Sequence, residues 1–346
     1  MSEQDARADA LAELHRAHPW SPPKAPRSSV FHYTSPVGLL GILTNGELWA
    51  SEAAGLNDLD EISKGWKLAQ GWLSKLPEDD QFKRAAQTAL EVSDLFRDFT
   101  APESAFVLCA SEVGDDANQW RLYGAGGAGY AVELDSTVPL AVRTDLKRRR
   151  DEAIEPDEAH KRIFRRDIFR DHCSVSPWTR VVYREGLAER YLEDARAWAL
   201  SRLAIAQRAR QFDSSDDPSP SQEADARAYG DIESAIASVA HTLKSRGFEG
   251  ENEARVVVTF TAGDWHASYR SAPVGVTRYV RLCTAPPDER QILLKGEWDK
   301  KALLPIKSVR LGPALDGRHG REAVRSLLRR CGYEDVPVKA SKVRLR

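Results

Sequence analysis

A chain of 346 residues with 50 basic and 52 acidic side chains is close to neutral, which argues against a dedicated nucleic-acid or membrane-surface protein but leaves room for a local basic patch. Its length allows one large domain or two smaller ones, and a charged fraction of 29% with a mean hydropathy of -0.49 fits a soluble protein with long solvated helices. No apolar run approaches a membrane span, the polar start Met1–Ala10 lacks a secretory pattern, and the scattered Cys109, Cys173, Cys283 and Cys331 read as reduced thiols, so the expected compartment is the cytoplasm.

Residues 5–17 read as a short amphipathic helix, and Pro22, Pro23 and Pro26 as an extended arm, so residues 1–27 stand apart as an N-terminal segment. A first strand is expected around Val30–Thr34. Ser35 is then a good N-cap, Pro36 suits the first helical position, and Gly46 suits the stop after Leu39, Leu40, Ile42 and Leu43. Glu47–Ser51 reads as a strand, Asn57-Asp58 as the turn or cap opening a helix over 60–76, and 79–97 as another helix after the breaker Pro77. The nearly continuous apolar run 105–111 predicts a buried central strand, with Gly129–Leu134 as its neighbour. Between about 143 and 248 the pattern turns helical, with a short strand at Arg180–Tyr183, a helix over Leu187–Phe212, a loop over Asp213–Ser221 and a helix over 223–245. Strands return at Ala254–Thr261, Val276–Leu282, Ile292–Leu294 and Ile306–Leu311, followed by a helix at Arg318–Arg330 and a strand near Val336–Lys339. The expected architecture is a single α+β domain over 28–346, with a split, largely antiparallel sheet and a helical insertion at about 143–248.

Several clusters carry chemical interest. His32-Tyr33-Thr34 ends a strand that feeds a helix N-terminus, a place where free backbone N–H groups hold phosphorylated ligands; the bland reading is a buried histidine beside an ordinary capped helix. Gly124, Gly126 and Gly129 spell GxGxxG, but they follow a helix-like Trp120–Tyr123 and enter a strand, so they read as a loop for close backbone approach. Glu249, Glu251 and Glu253 alternate before the apolar Val256-Val257-Val258, and in extended geometry they would share one face, with Arg255 placed to neutralise them. A strand-borne glutamate beside a pocket can grip a sugar 2-hydroxyl and stabilise an oxocarbenium-like centre; the bland reading is an exposed acidic edge. Asn57, Asp58 and Glu61 fit a ribose or metal cluster, or simply a helix cap. Trp120 and Tyr123 suit stacking on an aromatic ligand or a place in the core.

The ordered motifs HYT…L..IL..G.LWAS…LND..E, FVLCASE…WRLYG..G.GYAVELD, FEGENEARVVV and VRLGP resemble a large, mostly bacterial family, domain of unknown function 2971, over roughly residues 29 to 346. The closing Lys339–Arg344 resembles that family's terminal strand, with a departure near its end. More remotely, HYT with a glycine-ended helix looks like the opening of ADP-ribosyltransferase-type folds, and Asn252-Glu253 is similar to their glutamate motif, with Glu251-Asn252-Glu253 spelling its ExE variant. That resemblance implies an ADP-ribosyltransferase-like sheet that uses NAD as substrate and no metal. It implies that His32 holds a ribose of NAD, that Thr34 assists and that Tyr123 or Tyr130 flanks the nicotinamide; Ser111 sits where that superfamily often has Ser or Tyr, and Tyr33, Asn57, Ser111 and Trp120 complete the candidate NAD-binding residues. Glu253 would grip the nicotinamide ribose and Glu251 would lie near an acceptor, protein or nucleic acid, in a toxin or phage-defence effector.

Two other classes stay open. An inert nucleotide- or nucleic-acid-binding module is suggested by Lys147–Arg150 with Arg165, Arg166 and Arg170, though such runs are commonly solvated helix faces. A metal-dependent hydrolase would draw on His32, Asp58 and Glu61, whose spacing follows no ligand pattern.

Overall fold

The computed structural model describes residues 13, 20, 22, 28–53, 61–95, 105–146, 173–210, 219–260, 266–272, 275–288, 290–298, 303–315 and 318–344. In chain order its first half contains β1 (Ser29–Thr34), α1 (Pro36–Asn45), β2 (Leu48–Glu52), α2 (Glu61–Ser74), α3 (Gln81–Leu95), β3 (Phe106–Ser111), α4 (Ala117–Leu122), β4 (Tyr130–Asp135) and β5 (Leu140–Arg143). There follow β6 (Cys173–Val175), β7 (Thr179–Arg180), α5 (Glu185–Arg210), α6 (Ser219–Ala240), β8 (Glu253–Phe260), β9 (Ser268–Ala272), β10 (Gly275–Thr284), β11 (Ile292–Leu293), β12 (Ile306–Leu311), α7 (His319–Arg330) and β13 (Val338–Ala340). The N-terminal helix expected over 5–17, the Lys147–Arg150 run, Arg165, Arg166, Arg170, Asn57 and Asp58 lie outside the described residues. Strands β5, β6 and β9 add to those expected from sequence, and the strand expected at Arg180–Tyr183 is the shorter Thr179–Arg180.

The chain divides into two compact units, one drawn from Met1–Pro22, Asp60–Asp98 and Val182–Arg246, the other from Pro23–Leu59, Phe99–Val181 and Gly247–Arg346. In the first, helices α2, α3, α5 and α6 share a core that includes Trp72, Phe82, Leu192, Ile232 and Ile236. Helices α2 and α3, which the sequence reading groups with the sheet, thus pack with the helices of the expected insertion. Small buried residues at Ala188, Ala195, Ala199 and Ala206 of α5 and Ala224, Ala228 and Ala235 of α6 favour close helix packing. The buried Arg202 donates from Nε to Asp231 Oδ2 at 2.8 Å, tying α5 to α6.

The second unit is mixed α/β and holds a largely antiparallel, uncurled sheet ordered β11-β5-β10-β2-β3-β1-β4-β12-β13, with β8 also paired to β3. Only β11 on β5 and β13 on β12 run parallel among the described strand pairs. Strand alternation sends Val30, Leu108, Ala110, Val132, Val256, Val280 and Leu282 into one core with Leu39, Ile42 and Leu43 of α1 and Val324 and Leu328 of α7. Burying each of these large aliphatic side chains contributes about 1.5–3 kcal/mol. Helix α1 forms as its punctuation predicts: Gly38 N–H donates to Ser35 Oγ at 3.1 Å, Pro36 opens it, and Gly46, at φ 64°, donates its N–H to Ile42 O at 3.0 Å. Among the described residues no helix is long and apolar enough to cross a membrane.

The glycine loop serves backbone contact. Gly129 lies so close to β1 that a Cβ there would stand 2.3 Å from Thr34 O. Gly312 N–H donates to Gly129 O at 2.9 Å and Ala314 N–H to Gly127 O at 3.0 Å, so the Val309–Pro313 motif docks on this loop. Gly129→Ala is therefore expected to lower stability by about 1–3 kcal/mol in urea titration, because the obstacle is backbone. Gly41→Ala, in mid α1 with nothing within 4 Å of its Cβ position, is expected to raise it by about 0.5–1 kcal/mol.

Candidate functional site

Strand β3 is the middle of the site. One of its edges pairs along its whole length with β8, from Phe106 opposite Val258 to Ser111 opposite Glu253. Its other edge is shared: Phe106 and Val107 pair with β2, Ser111 pairs with Phe31 of β1, and Leu108–Ala110 between them pair there with neither strand. His32 reaches into this stretch, its Nδ1 standing 2.9 Å from Cys109 O. A carbonyl only accepts, so Nδ1 carries the proton and the neutral ring presents Nε2 as an acceptor. Burial lowers the His32 pKa, and the bond to the Cys109 carbonyl only partly opposes that.

On the face opposite the aliphatic core, the end of β3 meets the start of β8. Ser111 Oγ donates to Glu251 O at 2.8 Å, Gln119 Nε2 donates to the same carbonyl at 3.2 Å, and Val113 N–H donates to Ser111 Oγ. Tyr123 OH donates to Glu251 Oε1 at 2.8 Å. Tyr123 is 37% exposed and Glu251 is buried, so the phenol forms the rim above the carboxylate. Deeper in, Arg255 Nε donates to Glu253 Oε1 at 2.6 Å and Nη2 to Oε2 at 3.2 Å, with Arg255 1% and Glu253 4% exposed. At the same end of β8, but opposite Ala254 and hence on the other face, Arg180 forks onto Glu112, Nη2 to Oε2 at 2.6 Å.

The alternation expected for Glu249, Glu251 and Glu253 does not hold. Residues Arg246–Glu251 form a 3₁₀ turn and Asn252 adopts φ 47°, so only Glu253 belongs to the strand. A left-handed asparagine is tolerated because its short polar side chain bonds locally, here Asn252 Nδ2 to Gly250 O at 3.1 Å. The turn nevertheless leaves Glu251 and Glu253 at one end of β8.

Strand alternation separates the other expected residues. His32, Thr34 and Tyr130 point to the face of the aliphatic core, whereas Tyr33, Ser111 and Glu253 point to the opposite face. His32 and Glu253 stand two strands apart, about 10 Å in the hydrogen-bonding direction. Trp120 is fully buried, edge-on to Tyr33 at 4.8 Å, and its Nε1 donates to Asp115 Oδ1 at 2.8 Å. Tyr33 OH donates to Val113 O and accepts from Asp116 N–H, and burial raises its pKa. Thr34 Oγ1 packs over Gly38, where a Cβ would lie 2.0 Å away. Tyr130 is half-buried against the core. Sequence reading gave no role to Glu112, Gln119 or Arg180: Gln119 joins the cluster from α4, and Arg180 of β7 pairs with Glu112 just after β3.

Comparison with protein-family models, with curated proteins and with solved structures finds no match. The site is therefore judged on its own geometry. It offers a half-exposed phenol, one carboxylate beneath it, and a second carboxylate clamped by a guanidinium.

Removing one partner of the buried pair leaves a charge without its counterion, so Arg255→Met is expected to cost about 3–5 kcal/mol in chemical denaturation. The His32 pKa is depressed in the folded state, so its contribution is complete above the unfolded value of 6.5 and is lost as pH falls through the lower folded value. His32→Gln should flatten the decline in stability between neutral and mildly acidic pH; an unchanged decline would show that His32 is not the group responsible.

Proposed function

We propose that this chain is a member of the domain of unknown function 2971 family with an ADP-ribosyltransferase-like fold, and that it cleaves the nicotinamide N-glycosidic bond of NAD. The observation that carries the reading is the pairing of two carboxylates at the start of β8: Glu251 under the Tyr123 phenol, and Glu253 fixed by Arg255. In this chemistry the C1′–N bond breaks, the nicotinamide leaves with the bonding electron pair, and positive charge develops on the ribose. A carboxylate held in one orientation grips the 2′-hydroxyl and stabilises that charge, the role given to Glu253. Glu251 takes the proton of the attacking water or acceptor hydroxyl, with Tyr123 orienting it. His32, on the other face of the sheet, acts through the Cys109 backbone and is a positioning residue.

The test is nicotinamide release from NAD by the purified protein, supplied with candidate protein and oligonucleotide acceptors. Glu253→Gln and Glu251→Gln should each lower release by about 10²–10³-fold, and Tyr123→Phe by less, with melting curves recorded to separate folding from turnover. Undiminished release in a folded Glu253→Gln protein would reject the assignment.

A further inference from the structure

We propose a second site, a nucleotide-binding platform on β2, β10 and β9, with a base stacked on Trp49 and a phosphate held by Arg270. Trp49 and Ser51 of β2, Thr277, Tyr279 and Arg281 of β10, and Arg270 of β9 share the face opposite Leu48, Ala50, Val280 and Leu282, as their registers require. Trp49 remains 38% exposed although its neighbours Leu48 and Ala50 are buried. Its indole is already oriented: Nε1 donates to Glu47 Oε1 at 3.0 Å, and the ring lies 4.3 Å from that of Tyr279 at an interplanar angle of 34°. Such a tilted aromatic pair is a ready stacking surface for a base.

The Arg270 guanidinium lies 5.6 Å from the Trp49 ring and 5.9 Å from that of Tyr279. Its Nη2 donates to a neutral hydroxyl, Ser51 Oγ, at 2.6 Å, and among the described residues its buried Nε has no acceptor. Directly opposite it, the buried Thr277 Oγ1 also has no partner among the described residues. Arg281 and Arg143 stand in a second row. Among the described residues each has a buried Nε without an acceptor, while their outer nitrogens face Asp145 at 2.7 Å and Glu47 at 3.7 Å, and Arg143 also donates to Asn45 O at 3.0 Å. Among the described residues, two carboxylates therefore answer three guanidinium groups. The positions of Arg270 and Arg281 are separated by four residues along β10, about 13 Å, with Tyr279 between them and Trp49 directly across from Arg281. That order, cation, ring, cation, matches a base flanked by phosphates, supplied by a free nucleotide or by a link of a single strand.

The experiment is fluorescence anisotropy of a short fluorescein-labelled oligoadenylate with the full chain, in the absence of NAD, so that its result is independent of glycosidic cleavage. Trp49→Ala and Arg270→Gln should each weaken binding roughly tenfold or more, Trp49→Phe should keep most of it, and Arg270→Gln should reduce the salt dependence. Val276→Thr, at a highly exposed position on the opposite face, should bind as the unmodified chain does. Competition by AMP at similar concentration would assign the site to free nucleotides, and its absence to single strands. The proposal is overturned if the unmodified chain binds neither probe, or if folded Trp49→Phe, Trp49→Ala and Arg270→Gln proteins all bind like Val276→Thr.

Discussion

The second unit depends on one constraint: β3 must satisfy its backbone on both edges although only one edge has a full-length partner. Strand β8 completes the first edge, with six residues in register. On the other, β2 and β1 take the two ends and leave Leu108–Ala110 between them. Backbone groups in a buried strand need partners, and the side chain of His32 supplies one at Cys109 O. The histidine thus has a structural duty at Cys109 before any ligand is considered, and it is burial, against the pull of that bond, that favours its neutral form. It also fixes where the sheet opens, and the polar cluster on the opposite face lies beside that opening.

A second constraint is electrostatic. Glu253 and Arg255 are both nearly inaccessible, and two such charges are tolerated because they meet in a two-pronged contact. A pair of this kind is seldom the most stable choice for a core, since aliphatic residues of similar volume often match or exceed it. Its value lies in orientation: the carboxylate cannot rotate freely. Glu251, by contrast, is tethered through its oxygen to a tyrosine at the rim. Two adjacent glutamates are thereby given unlike surroundings by one left-handed asparagine between them.

Much of this was legible from residue order. The Ser35-Pro36…Gly46 punctuation gave α1 to the residue at its capped end, because caps are local chemistry. The apolar run 105–111 announced the central strand because both its faces are largely covered. Strand β9 escaped notice because Ser268–Ala272 is short and polar, and β5 because four residues before a charged stretch carry little periodicity. The glutamate alternation misled because i, i+2 spacing in sequence shares a face only in extended backbone, and here a 3₁₀ turn with about three residues per turn precedes the strand. Trp49, Tyr279 and Arg270 gave no signal at all: they are far apart in sequence, and only the strand registers bring them together. That Glu251 and Glu253 end up together followed from their nearness in sequence, whereas the partition of His32 to the other face followed from alternation and needed the pairing of β1 with β3.

The order in which the two units use the chain bears on how the protein comes into being. Ser111 bonds to Glu251, 140 residues further on, and the intervening chain includes α5 and α6 of the helical unit. During synthesis β3 emerges with one edge lacking its longest partner, and it stays so until β8 follows. The helical unit meets the same delay, since α2 and α3 precede β3 while α5 and α6 come after it. Neither unit is a separable N-terminal module that can finish early. A nascent chain in this state exposes an apolar strand edge, the kind of surface that chaperones shield and that aggregates when they do not.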